Sequence, residues 1–205
     1  NEAVTRAQDD GVSVITNSFA HREDSEPMVV RNQYDHSALV GAALGITLVA
    51  ATGDSARVDT PSSSPWVTGV GGTRLYLDGQ GDVVNETAWD ESGSGIAKSF
   101  PMPAWQVAVA GGIGDGDRRV VADVSAAAST GSPYWVYYNS SWSLYGGTSF
   151  SSPVFAGIIA VVNQYREDNG MPPVGYLNQM LYTTPAVQAT FRDVTSGATA
   201  LFSAA

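Results

Sequence analysis

The run Ile46-Thr47-Leu48-Val49-Ala50-Ala51 does most to limit the fold. It is short and apolar throughout, and it lies between Gly45 and Thr52-Gly53-Asp54-Ser55. A strand apolar on both faces needs cover on both faces, the situation of strands in parallel α/β sheets. The preceding segment reads as that cover. Ser25-Glu26-Pro27 starts a helix over Met28–Leu44, with Val30, Tyr34, Ala38 and Ala42 at helical spacing, and Gly45 stops it. Val12–Asn17 is short and β-branched, which predicts a strand. Asn1–Asp10 reads as the end of a helix closed by Gly11, so the chain is expected to start inside a fold. Helix, strand, helix and strand in this order predict an α/β fold with a mostly parallel sheet and crossover helices.

The middle of the chain reads differently. Trp66–Val70, Arg74–Leu77 and Val83–Trp89 are short strand candidates, with Asp78-Gly79-Gln80-Gly81 as a hairpin turn. Gly93–Gly116 is rich in Gly and Pro and carries no clear period. Val120–Val124 and Tyr134–Tyr138 are predicted strands. Helices are predicted over Phe150–Asp168 and over Val174–Thr183, the second ending before Pro185. With 43% hydrophobic residues and 22 glycines, the chain is globular and rich in turns. No repeat or low-complexity linker divides it, so residues 1–205 are expected to form one domain.

Gly146-Gly147-Thr148-Ser149-Phe150-Ser151-Ser152-Pro153 leads into the apolar run Val154–Ala160. Glycines allow a tight turn, and proline is tolerated in a first helical turn. The arrangement predicts a serine hydroxyl on a tight turn at the start of a buried helix. Unpaired N–H groups and a partial positive charge gather there. The plainer reading is that Ser149 only caps the helix. In an open parallel sheet, functional groups sit at the carboxyl ends of strands, which is where Asp54 falls. Gly-Asp-Ser is also common in loop turns, and Asp123, at the end of Val120–Val124, is open to the same two readings. His21 and His36 have no neighbours that suggest a dyad or a metal site and read as surface residues. With no Cys, thiolate chemistry and disulfides are excluded. The formal charge of −10 and the lack of a basic patch exclude nucleic acid as an expected partner. No apolar run reaches spanning length, so no membrane partner is expected.

Several segments together resemble a known family. They are Thr52-Gly53-Asp54-Ser55, the segment Pro61–Thr73, Phe100-Pro101-x-Pro103-x-Trp105-Gln106, Asp123-Val124-Ser125-Ala126, Gly147-Thr148-Ser149-x-x-x-Pro153 and Phe191-Arg192-Asp193-Val194-Thr195-x-Gly197. Their order resembles that of the sedolisins, serine-carboxyl peptidases of subtilisin-like fold. The resemblance covers nearly the whole chain. It implies that Ser149 is the nucleophile and Asp54 the acid of the oxyanion hole. It implies peptide or protein substrates, secretion or another acidic compartment, and a propeptide or the rest of the domain as partners. The family's base is a Glu paired with an Asp one helical turn away, on a helix upstream of the matching segment. Glu2, Asp9 and Asp10 lie downstream of that position, so the chain looks like a partial catalytic domain missing its N-terminal part, inactive alone.

The residue types make chemical sense. A serine hydroxyl is a weak nucleophile until a base takes its proton, and a carboxylate base suits acid pH. Negative charge then builds on the attacked oxygen and needs a donor, which Asp54 can be only while protonated. By the same resemblance, Ser18, Phe19, Ala20, Gly93, Ser94 and Gly95 border the substrate. Asn17-Ser18-Phe19-Ala20 stands where Ser-Trp-Gly is typical, Ile96-Ala97 where a glycine pair is typical, and Ala122 where proline is typical. The family's calcium ion is held by an Asp, the next carbonyl and a later Gly-x-Gly-x-Asp loop. Asp193 and Val194 match the first pair, and the later loop has no match. Two other readings remain open: an inactive sedolisin-shaped binding module, or a subtilisin-type fragment. In the second case Val154 stands where subtilisins usually have His, and Asp54 where they have Asn.

Overall fold

The computed structural model describes residues 2–199; Asn1 lies outside the described residues. In chain order the elements are α1 (Glu2–Asp9), β1 (Val14–Asn17), β2 (His21–Arg22), α2 (Met28–Ala43), β3 (Thr47–Ala51) and β4 (Asp59–Thr60). Then come β5 (Thr68–Leu77), β6 (Val83–Ala88), β7 (Gly95–Pro101), α3 (Val107–Ala110), β8 (Arg118–Val121) and β9 (Val124–Ala127). The remainder are β10 (Tyr134–Tyr138), β11 (Ser141–Tyr145), α4 (Thr148–Asp168), α5 (Asn178–Thr183) and α6 (Pro185–Gln188).

The main sheet runs β1-β3-β5-β6, with β9 on the other edge of β5. Its β1/β3, β3/β5 and β5/β9 pairings are parallel, and β6 is antiparallel to β5. All of β3 is buried, as an apolar strand covered twice must be. Its side chains alternate between the two cores. Val49 packs with Val70, Phe155, Ile159 and Leu177 on the α4 side. Leu48 and Ala50 pack with Val4, Ala38 and Val67 on the α1–α2 side. Each large aliphatic side chain buried in this way contributes about 1.5–3 kcal/mol. Helix α4 crosses β1, β3, β5 and β9, so the nucleophile candidate's helix is braced by most of the sheet.

Three expectations change. Trp66–Val70 and Arg74–Leu77 are not separate strands; they fall in or beside one strand, β5, which runs through Gly71-Gly72. The glycines serve close packing rather than a turn: a Cβ on Gly72 would stand 2.6 Å from Trp89 and 2.7 Å from Ala128. Val120–Val124 is instead divided, β8 pairing with β7 and β9 with β5. The helix expected over Val174–Thr183 spans only Asn178–Thr183, because Gly175 has φ +70°, outside the helical region. Tyr134–Tyr138 is one arm of a hairpin whose second arm, β11, carried no familiar turn signal. Asn139 and Ser140 turn it with φ of 50° and 62°, the geometry usually marked by Asn-Gly. In the unassigned segment, β7 is pinned by buried Glu23, whose carboxylate accepts from the N–H groups of Lys98 (2.7 Å) and Ser99 (3.0 Å).

Candidate active site

The site begins with glycines that let two distant segments touch. Gly147 has φ +117°, and a Cβ there would lie 2.5 Å from Asp54 Oδ2. A Cβ on Gly146 would meet the Ala128 carbonyl at 2.7 Å. With both absent, the turn into α4 closes onto the end of β3. Thr148, fully buried, clamps the contact. Its N–H and its hydroxyl each donate to Asp54 Oδ1 at 2.7 Å, and its Oγ1 accepts the Gly53 N–H at 3.0 Å. Asp54 is therefore tied, across 94 residues of sequence, to the residue that precedes Ser149.

Ser149 is the second residue of α4 and is exposed. Ser151 and Ser152 are fully buried and occupied: Ser151 Oγ donates to the Thr148 carbonyl, and Ser152 Oγ shares a hydrogen bond of 3.0 Å with Thr16 Oγ1. Of these three hydroxyls only that of Ser149 meets solvent. It stands at the N-terminal turn of a 21-residue helix, where free N–H groups favour negative charge.

Pro153 is not in the first turn as expected. It is the sixth residue of α4, where a missing N–H leaves the carbonyl of residue 149 without its helical donor. The Ser18 hydroxyl fills that gap, donating to the Ser149 carbonyl at 3.0 Å. Ser18 thus holds the backbone of Ser149 itself. Phe19 is 82% exposed, its N–H donating to Asn17 Oδ1 at 2.7 Å, and Ala20 is half-buried.

Gly93, Ser94 and Gly95 are all buried. The Gly93 N–H donates to the Gly53 carbonyl at 2.8 Å, directly beside Asp54. A Cβ on Gly93 would lie 2.1 Å from the Thr52 carbonyl, so only glycine fits. Ser94 Oγ shares a 2.6 Å hydrogen bond with Thr199 Oγ1, and Gly95 begins β7. These residues buttress the Asp54 loop from behind.

Asp123 sits in a different setting, with a fully buried side chain. Its Oδ2 accepts from the Gly69 N–H (2.7 Å) and from Arg119 Nη2 (2.5 Å), and its Oδ1 accepts from the Tyr182 hydroxyl (2.8 Å). Arg119 is itself fully buried and lies over Trp105 at 5.4 Å. Burial opposes its charge, but Asp123 outweighs burial and holds the guanidinium above its usual range. Burial, then Asp123, pushes the Tyr182 hydroxyl far up, so it stays a donor. Arg119 and Tyr182 carry no signal in the sequence, because their role exists only once β8, α5 and the β9 start meet.

Asp193 is exposed and, with Val194, lines an open cleft of about 580 Å³. One carboxylate and one carbonyl fall short of the six or more oxygens calcium prefers. Among the described residues no group of three His, Cys, Asp or Glu side chains could hold a metal ion. The residues present do not by themselves fit a calcium site.

The structure thus sets an exposed serine at a helix N-terminus beside an acid that follows a strand of the parallel sheet. The chain belongs to the subtilase family, whose model matches residues 1–203, and within it to the sedolisins. It is 35% identical over 205 residues to kumamolisin of Bacillus sp. strain MN-32 and 36% identical over 214 residues to tripeptidyl-peptidase 1 of Rattus norvegicus. Each match covers 90% of this chain and 36% of the relative. The chain thus spans about a third of the length of these curated relatives. A solved Pseudomonas sedolisin, a serine-carboxyl proteinase complexed with pseudo-iodotyrostatin, superposes with a TM-score of 0.85 at 28% identity, covering 96% of this chain and 59% of that one. Sphericase, at 16% identity and a TM-score of 0.60, shares the fold.

Proposed function

We propose that this chain carries the nucleophile and the oxyanion acid of a serine-carboxyl peptidase that cleaves peptide bonds at acid pH. The observation that carries this reading is the Thr148 clamp, which fixes Asp54 to the turn bearing the exposed Ser149 hydroxyl. Ser149 Oγ attacks the scissile carbonyl carbon, and its proton passes to a carboxylate base. Charge develops on the carbonyl oxygen, where a protonated Asp54 donates a hydrogen bond beside the helix N-terminus. The amine leaves with a proton from the base, and water then releases the acyl group. Among the described residues no carboxylate or imidazole hydrogen-bonds the Ser149 hydroxyl. The base belongs to the part of the relatives that this chain does not span, and the 205-residue chain alone is inactive. That missing part, or a propeptide, is its partner. The working environment is secreted or acidic, and calcium belongs to the complete domain, with Asp193 and the Val194 carbonyl as two of its ligands. Calorimetric titration of the chain alone should show no tight calcium site; a micromolar one would refute this assignment.

The decisive experiment is the rate against pH for a complete domain carrying this chain. Ionised Asp54 would set negative charge against a developing negative charge, so the rate should fall as Asp54 loses its proton. Asp54→Asn donates at any pH, and should keep part of the activity with a shallower alkaline fall. Asp54→Ala should lose about 2.7–4 kcal/mol of transition-state stabilisation. If Asp54→Ala matches the wild type at acid pH, Asp54 is a loop residue and the reading fails.

A further inference from the structure

The β10–β11 ribbon leads directly into the nucleophile turn, and its two faces differ. Residues paired across an antiparallel ladder share a face. Tyr134 and Tyr145 are paired, and both stack on Phe150, the residue after Ser149, at 5.4 and 6.1 Å. The Tyr134 hydroxyl also donates to the Ala127 carbonyl at 2.7 Å. That face roots the ribbon to the site. The other face carries the pairs Trp135–Leu144 and Tyr137–Trp142. These four are 67%, 52%, 60% and 64% exposed. Among the described residues, β10 and β11 pair only with each other, so their outer backbone edges are free.

The charge pattern narrows the occupant. Residues 124–165 contain no Asp, Glu, Lys, Arg or His, in a chain that is 15% charged with a formal charge of −10. The ribbon is a neutral aromatic strip on an acidic protein, suited to an uncharged apolar ligand. A second copy fits less well. Three aromatics burying about 150–250 Å² each fall short of the roughly 800 Å² per partner of a stable interface, and two copies at −10 repel. The free edges favour an extended peptide, which can add as a strand and set alternate side chains on one face. With a rise of about 3.4 Å per residue, Tyr137 lies roughly 7 Å beyond Trp135, the spacing of side chains two residues apart in such a peptide.

We propose that the Trp135–Tyr137–Trp142–Leu144 face of the ribbon binds alternate apolar side chains of an extended peptide substrate, beyond the bond attacked by Ser149. This rests on the peptidase reading. The test uses the 205-residue chain and two capped octapeptides, one with Leu at alternate positions and one with Ser there. Binding is followed by calorimetric titration in every variant, and in the unsubstituted chain also by tryptophan fluorescence and its quenching by acrylamide. The Leu peptide should shield the tryptophans and bind about tenfold or more tighter than the Ser peptide. Trp135→Ser/Trp142→Ser should abolish that preference, while Val161→Ser, an exposed apolar control on α4, should leave it intact. Equal binding of both peptides, or a preference that survives the double substitution with folding confirmed by circular dichroism, overturns the proposal. So does a dimer in sedimentation that the double substitution dissolves, since the occupant would then be a second copy. Reaction of Ser149 with a serine-directed probe is read separately in a complete domain. Failure there, with peptide binding intact, would count against the peptidase reading and not against the ribbon.

Discussion

Asp54 and Asp123 both follow strand-like segments, and both lie in segments that resemble sedolisin motifs, yet their surroundings differ in kind. Asp123 is sealed: both of its oxygens are engaged, by Gly69, Arg119 and Tyr182, and its side chain sees no solvent. Asp54 is exposed, and its two hydrogen bonds from Thr148 both fall on Oδ1. Its Oδ2 lies against Gly147, where only the absence of a Cβ makes room. A carboxyl whose acceptors are all occupied in a buried ion pair holds structure together. A carboxyl anchored through one oxygen at a solvent-facing turn can use the other on a ligand.

The largest effect should come from breaking the sealed acid. Asp123→Ala strands Arg119 as an unpaired buried charge, and the loss of one partner from a buried pair costs about 3–5 kcal/mol. Denaturant unfolding should show that loss, and Asp54→Ala should show a smaller one of about 1–3 kcal/mol, because it leaves the donors of buried Thr148 without their acceptor. If the two alanine variants lose stability equally, the distinction between the acids collapses.

A smaller effect should follow from loosening the anchored acid. Thr148→Val keeps the shape and the backbone N–H but removes the hydroxyl that bridges Gly53 and Asp54. The Gly53 N–H loses its acceptor, at a cost of about 1–3 kcal/mol. In a complete domain the activity should fall, and Thr148→Ser should restore most of it. An inactive Thr148→Ser that folds normally would mean that the threonine acts through its methyl group.

What could be read beforehand followed from local runs and spacing. The β1–α2–β3 unit was legible because a β-branched run and a wholly apolar run flank a segment with apolar residues at helical spacing, and α4 because an apolar run follows the Gly-Gly-Thr-Ser turn. Gly71-Gly72 misled because a glycine that admits Trp89 and Ala128 looks in sequence like one that makes a turn. The division of Val120–Val124 was hidden because Gly69 and Tyr182, which hold Asp123 at the break, join it only in three dimensions. At the site, the Gly-Thr-Ser turn pointed to Ser149 and the end of β3 pointed to Asp54. The service of Ser18 to the carbonyl left free by Pro153 was not legible, since it depends on two segments 131 residues apart.

The most direct measurement is covalent labelling. A complete domain carrying this chain, incubated at acid pH with a fluorophosphonate probe and analysed by peptide mass spectrometry, should carry the adduct on Ser149 alone. The adduct should vanish in Ser149→Ala and form as in the wild type in Ser151→Ala and Ser152→Ala, whose hydroxyls are buried and hydrogen-bonded. An adduct on Ser151 or Ser152, or labelling that survives Ser149→Ala, would contradict the claim that the turn into α4 presents a single reactive serine beside Asp54.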